Sequence, residues 1–290
     1  MKERMKIKPK GILAAAAVFC LVLAAFAGCV RKIPDKPAEA ALGETVCGAY
    51  RSVRGDQNEI TEIRMIGEFL IAETDEYDEE GHELAWYAEE ILPDDPDVLR
   101  DPASAARNGG IPVTVRRYSS FSNAGEYWDE PDRYRMELTD EGLWFRAENG
   151  GEDYLRVPDP TVPEPGGIAE KITELGQYYG AGTLERSLVG GWKGESSGES
   201  VTIVFREDGG FASVSRSSKE HPAEAVLGAW TVTEEGNLML LFRRIGWAGQ
   251  PFDRALRIDL GEDGTLNLYE IDSPAVWTFS PAEIELRGRW

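Results

Sequence analysis

From residue 190 onward, apolar and polar positions alternate with period two. Val201, Ile203 and Phe205 are interleaved with Thr202, Val204 and Arg206, a turn follows at Glu207-Asp208-Gly209-Gly210, and Phe211 and Val214 resume the pattern. Leu238 to Phe242, Leu256-Arg257-Ile258-Asp259-Leu260, Leu266-Asn267-Leu268-Tyr269 and Val276-Trp277-Thr278-Phe279 are further short runs, separated by turns such as Glu234-Glu235-Gly236-Asn237 and Glu262-Asp263-Gly264. Period-two runs bounded by acidic-Gly turns are hairpin signals, because glycine supplies the positive φ of a tight turn. The pattern predicts an antiparallel meander of seven or eight short strands.

The first half repeats the unit. Val46 to Arg51 aligns with Leu188 to Lys193, and Ile63 to Phe69 with the strand, turn and Phe of Phe205 to Phe211. Gly125-Glu126-Tyr127 is matched to Gly228-Ala229-Trp230, and Arg133 to Phe145 lies over Arg254 to Leu268. This reads as an internal duplication. Between the copies, Val157 to Gly167 carries four prolines, which cannot build a strand ladder and form a stiff linker. Ile168, Ile172, Leu175 and Tyr179 have helical spacing, and that short helix is expected to cap the second unit. A second short helix is expected over Asp94 to Arg107, interrupted at Pro102.

The G-x-W start at Gly190-Gly191-Trp192, the Phe205-to-Phe211 hairpin, the second G-x-W at Gly228-Ala229-Trp230 and the paired L-x-L strands resemble the lipocalin-like (calycin-type) domains of bacterial secreted lipoproteins. The resemblance spans most of residues 44–158 and 187–282. It implies that Trp192 plugs the closed end of a barrel, with Tyr50 in that place in the first copy. The fold class expected is all-β, two antiparallel meander barrels in tandem after an N-terminal signal helix. The boundaries are 1–28 for a leader, 29–43 for a tether, 44–158 for the first barrel, 159–186 for linker and helix, and 187–290 for the second barrel.

The leader has its own pattern. Lys2, Arg4, Lys6, Lys8 and Lys10 precede an uncharged apolar core from about Ile12 to Ala27, the layout of a secretory signal. Phe26-Ala27-Gly28-Cys29 resembles the bacterial lipobox, with Phe26 where that motif usually has Leu, Val or Ile. The resemblance implies lipidation of Cys29 with palmitate-like acyl chains. Two chains at ~0.8 kcal/mol per buried methylene hold a protein stably at a membrane. Two other readings stay open: Ala25-Phe26-Ala27 also satisfies the A-x-A rule for simple secretion, and residues 11–30 are long enough to remain as an uncleaved span.

Charge narrows the partners. The chain of 290 residues has a formal net charge of −21. Loss of residues 1–28 removes five basic residues and one acid, leaving 26 Lys/Arg against 51 Asp/Glu, a net −25. Such a surface repels nucleic acid and anionic lipid heads, so the membrane is reached through Cys29 alone. Of the three cysteines, Cys20 leaves with the leader and Cys29 takes lipid, so Cys47 has no disulfide partner within the chain and is read as a buried structural thiol.

Catalytic chemistry finds little footing. His82 and His221 lie in separate turn-rich stretches, without zinc spacing or a nearby G-x-S-x-G turn, so neither a metal nor a cofactor is expected. The acidic run Glu73 to Glu83 lacks the ligand spacing of a calcium loop and reads as a solvated hairpin turn at Asp78 to Gly81. What remains is the loop Arg243-Arg244-Ile245-Gly246-Trp247-Ala248-Gly249-Gln250-Pro251-Phe252. A tryptophan beside paired arginines suits a barrel mouth, and Trp247, Arg243, Arg244 and Phe252 are the candidate ligand-binding residues.

The function expected is non-catalytic. The chain is read as a lipid-anchored extracytoplasmic lipoprotein of a bacterial cell envelope, binding a small apolar ligand in its second barrel. The alternative is an envelope protein–protein interaction or assembly module with filled barrels. A cavity of ~300 Å³ or more separates the two.

Overall fold

The structure, a computed structural model, describes residues 46–54, 57–119, 127–162, 183–196, 198–218, 221–246, 252–271 and 276–290. The leader, Cys29, the tether, the helix expected over 168–179 and Trp247 lie outside the described residues.

Seventeen strands occur among those residues. The first barrel is β1 (Gly48–Arg54), β2 (Gln57–Ile66), β3 (Phe69–Tyr77), β4 (Glu83–Pro93), β5 (Ile111–Ser119), β6 (Tyr127–Leu138), β7 (Leu143–Ala147) and β8 (Tyr154–Pro158). Each strand pairs antiparallel with the next, and β1 closes the ring by pairing with both β2 and β8. The second barrel is β9 (Gly190–Ser196), β10 (Glu199–Phe205), β11 (Gly210–Arg216), β12 (Glu224–Val232), β13 (Asn237–Arg244), β14 (Phe252–Leu260), β15 (Leu266–Glu270) and β16 (Val276–Ala282), closed by pairing of β16 with β9. The fold is thus two closed eight-stranded antiparallel barrels in tandem. Among the described residues no helix is long and apolar enough to cross a membrane.

Strand order places the counterpart of β1 at β9, of β2–β3 at β10–β11, and of β6–β7 at β14–β15, as aligned from sequence. One alignment is corrected. Tyr127 opens β6, whereas Gly228 to Trp230 sit in β12, whose counterpart is β4. The shared Gly and aromatic residue misled because such pairs recur at many strand positions. Over 94–107 the structure has a 3-10 turn (Pro96–Arg100) and α1 (Pro102–Arg107), which meet at Asp101. Pro102 begins α1 and does not break it: proline tolerates the first helical turn, and the Asp101 side chain accepts from Ser104 N at 3.1 Å.

Alternation gives each barrel its own core. Tyr50, Ile63, Met65, Leu70, Ile91, Val113, Met136 and Phe145 point inward in the first, with Leu99 and Ala106 packed against them from the helical connection. Trp192, Phe205, Phe211, Trp230, Leu238, Leu256 and Leu268 fill the second. Cys47 is buried in the first core.

A third apolar cluster joins the barrels. Ile66, Phe69, Ile71 and Ala88 of the first meet Val204, Ala212, Val214, Ala225, Leu227 and Ile245 of the second. The strands β2, β3 and β4 are therefore buried on both faces. The expected solvated turn takes up only part of the acidic run Glu73 to Glu83. The turn at Asp78 to Gly81 is present, but Glu73 and Asp75 are buried on the face of β3 that meets the second barrel.

Charges in that interface are matched closely. Glu73 accepts from Arg243 Nη1 at 2.5 Å and Nη2 at 3.0 Å, from Arg64 Nη1 at 3.0 Å, from Trp86 Nε1 at 3.1 Å and from the backbone N–H of Gly246 at 3.2 Å. Gly246, at φ +75°, lies so close to β4 that a Cβ would stand 2.6 Å from Ala88 N. Glu90 pairs with Arg216 and accepts from Ala223 N at 3.1 Å. Beyond Ala282 the chain leaves the second barrel, and β17 (Leu286–Arg287) pairs with β2 at Ile66 and Met65, where β1 no longer covers it. Arg289 then donates to Glu62 at 2.5 Å and to Val162 O at 2.7 Å.

Burial alone would raise the Glu73 carboxyl, but Arg243 and Arg64 outweigh it and hold the group down at about 2. Inside the first barrel the same balance, with Arg156 and Arg117, holds Glu89 at about 2. In the unfolded chain both have the ordinary value of 4.5. The ionised forms therefore stabilise the fold fully above that value, and the contribution is lost as pH falls from about 4.5 through about 2. Thermal midpoints are expected to stay level from pH 7 to 5 as far as these two groups are concerned, then drop across that window. The Glu73→Gln variant should show a shallower drop. At pH 7, Glu73→Ala, which leaves Arg243 without its carboxylate and Arg64 with Glu62 alone, is expected to cost roughly 3–5 kcal/mol in urea unfolding.

Candidate functional site

The second barrel contains the candidate site, a cavity of about 260 Å³. Its wall is built from the inward rows of seven strands: Ile203 of β10, Phe211 of β11, Val226 of β12, Leu240 and Phe242 of β13, Leu256 of β14, Leu268 of β15, and Trp277 and Phe279 of β16. The alternation that builds the core thus also builds the pocket.

One end is stoppered. The helix α2 (Thr183–Leu188) packs Leu184 and Leu188 against the core, and Trp192 Nε1 donates to Leu188 O at 2.7 Å. Glu185 accepts from Thr231 Oγ1 and Val232 N, both at 3.1 Å, which ties the helix to β12. Trp230 Nε1 donates to Arg206 O at 3.1 Å in the turn at the same end. Buried tryptophans with their N–H groups satisfied leave no polar cost there.

The opposite end is polar. Glu199, Ser213, Ser215, Glu224, Arg244 and Arg254 line it. Arg244 pairs with Glu224 at 3.5 Å and Arg254 with Glu270 at 3.3 Å. The guanidinium of Arg254 lies 5.5 Å from the Trp277 ring, a cation–π arrangement that holds the indole at the wall. The result is an apolar chamber with a charged and hydroxylated rim, suited to an apolar body carrying a polar end.

The residues singled out from sequence separate. Arg244 lines the cavity. Arg243, one position along β13, turns to the outer face and is committed to Glu73 of the first barrel. Phe252 starts β14 at the rim, packs on Phe242 at 5.8 Å between centroids and is exposed. Trp192 is buried at the stoppered end. Tyr50 is buried in the first core, with its hydroxyl pushed well above its ordinary range chiefly by desolvation. Trp277, Arg254 and Glu224 were not foreseen. Their signal was available, because each lies in phase with the apolar row of its own strand.

Outside the cavity, Asp78, Glu80 and His82 offer ligand atoms within 4.8 Å of one another. Asp78 is engaged already, accepting from His82 N at 2.7 Å and meeting His82 Nδ1 at 3.0 Å, so the group acts as a hairpin clasp. His221 lies in a loop, 3.0 Å from Ser218 Oγ, with both residues exposed.

No known protein family matches the chain, and no curated protein sequence does. Backbone comparison returns bacterial sliding clamps. The DNA polymerase III subunit beta from Pseudomonas aeruginosa is 9% identical, over 81% of this chain and 91% of that one, at a TM-score of 0.17. The beta subunit from Thermotoga maritima is 7% identical, over 84% and 93%, at 0.16. The C. crescentus beta sliding clamp is 7% identical, over 80% and 89%, at 0.16. At these TM-scores the likeness carries no argument.

Proposed function

We propose that this chain is a lipid-anchored extracytoplasmic lipoprotein that binds a small, mainly apolar ligand in its second barrel. The cavity carries the reading. Its wall is apolar down to the tryptophan-sealed end, which supports the reading, while its volume of about 260 Å³ falls short of the ~300 Å³ that separates ligand binding from a filled barrel and so limits the ligand to a small one. A ligand with an aliphatic or aromatic body and one polar end meets both halves of the chamber. The lipocalin-like motif arrangement supports the same use of the barrel. The lipobox-like Phe26 to Cys29 supports the anchor, and the acidic surface supports a location where only that anchor touches the membrane.

The runner-up reading is a protein–protein interaction module of the envelope. Phe252, Ile271 and Val276, exposed where their strands meet the rim loops, favour it as an apolar docking edge. No catalytic role is proposed, since the acids at the rim sit over an apolar chamber and Glu224 and Glu270 are paired with arginine.

Two outcomes are expected. Hydrophobic fluorescent probes should change Trp277 emission saturably in the full chain, and Leu240→Trp, which fills the chamber, should abolish the response. A response unchanged in that variant would move the site elsewhere. Metabolic labelling with an alkyne fatty acid should tag the wild-type chain and not Cys29→Ala; a tag on the variant would remove the anchor reading.

A further inference from the structure

Charge is unevenly spread around the mouth of the second barrel. Glu199 of β10, Ser215 of β11 and Glu224 of β12 form one arc on three neighbouring strands, with Ser213 one layer deeper. Register brings them together: Glu224 lies opposite Ser215, Ser215 lies opposite Val201, and Glu199 is the next inward position beyond Val201 on β10. Arg244 of β13 and Arg254 of β14 follow around the ring.

Both arginines are already engaged. Arg244 stands 3.5 Å from Glu224, and Arg254 stands 3.3 Å from Glu270 and lies against the Trp277 ring. Glu199 differs from every other charge that lines the chamber. It is half-buried, and among the described residues no hydrogen bond or ion pair reaches its carboxylate. In register on β9 it meets Ser196, not a base.

The carboxylates of Glu199, Glu224 and Glu270 therefore share this end with the guanidiniums of Arg244 and Arg254, and one negative charge is left over. The formal charge of the whole chain, −21, adds a field of the same sign. An entering anion would have to break an arginine–glutamate pair and would still face Glu199. An entering cation meets a carboxylate that nothing has to release. The serine hydroxyls and the carboxylate are acceptors for the N–H groups of an ammonium. Beside an apolar wall that attraction is screened less than on open surface.

We propose that the second barrel selects small organic amines, with an alkyl or arylalkyl body in the chamber and the protonated amino group at the mouth on Glu199, near the Ser215 hydroxyl. The inference rests on the reading of this barrel as a ligand chamber and adds the sign of the ligand's charge.

Octylamine, 1-octanol and sodium octanoate carry one body and three different ends; at pH 7 the first is a cation and the last an anion. Titrated calorimetrically into the full chain at one ionic strength, octylamine should bind several-fold tighter than octanol, and octanoate most weakly. Glu199→Gln should bring octylamine down to the affinity of octanol. Glu235→Gln removes the same charge from the turn at the stoppered end, beside Gly236 and Leu184, and should leave the advantage of the amine intact. Leu240→Trp, which fills the chamber, should abolish binding of all three. If none of the three binds the wild-type chain, the chamber reading falls and this inference falls with it. If they bind, but octanol or octanoate matches octylamine, or the amine's advantage survives Glu199→Gln or is lost equally in Glu235→Gln, the chamber stands and the choice of an amine is overturned. Octylamine bound unchanged by Leu240→Trp would place it on the acidic surface and would overturn the proposal as well.

Discussion

Glu73 is the interaction on which the architecture turns. One buried carboxylate gathers Arg64 from its own barrel, Arg243 from the other, the Trp86 indole and the backbone N–H of Gly246. A desolvated carboxylate is costly unless its lone pairs are filled, and here they are. Because Gly246 lies two residues past the end of β13, the same contact fixes where the chain leaves the strand that supplies Leu240, Phe242 and Arg244 to the chamber. The first barrel thus braces one side of the second. The returning tail adds a second tie through β17 and Arg289.

The two barrels show how one strand pattern supports opposite interiors. Both close through eight antiparallel strands, and in both the inward rows begin apolar. The second continues so with Phe211, Leu256, Leu268 and Phe279 and leaves a chamber. The first changes to Glu89, Arg117 and Arg156, whose ion pairs cross the lumen. Buried ion pairs contribute little net stability against apolar packing of the same volume, whereas removing one partner is costly, so these three charges stand or fall together.

Much of this was legible in the chain. Period-two alternation and acidic-Gly turns disclosed the strands, and the repeated strand–turn–strand units disclosed the second copy. The surfaces that face another part of the molecule were not legible. Glu73, Arg64 and Glu90 occupy polar positions that on an isolated barrel would meet water, and alternation cannot tell an outer face in solvent from one against a neighbour. For the same reason Arg243 and Arg244 read as a pair, although adjacent strand residues face opposite ways. The lumen charges were not legible because alternation alone does not say that a charged residue in phase with an apolar row, as in Tyr87-Ala88-Glu89-Glu90-Ile91 or Val113 to Arg117, points to the interior.

The central claim is that the second barrel encloses a small apolar molecule. Native mass spectrometry of the intact chain, purified without added ligand and released from detergent in the gas phase, tests it most directly. The account predicts a population heavier than the lipidated polypeptide by the mass of one small molecule, lost on collisional activation and absent from Leu240→Trp. Bare polypeptide mass alone, together with silence toward hydrophobic probes, would contradict it.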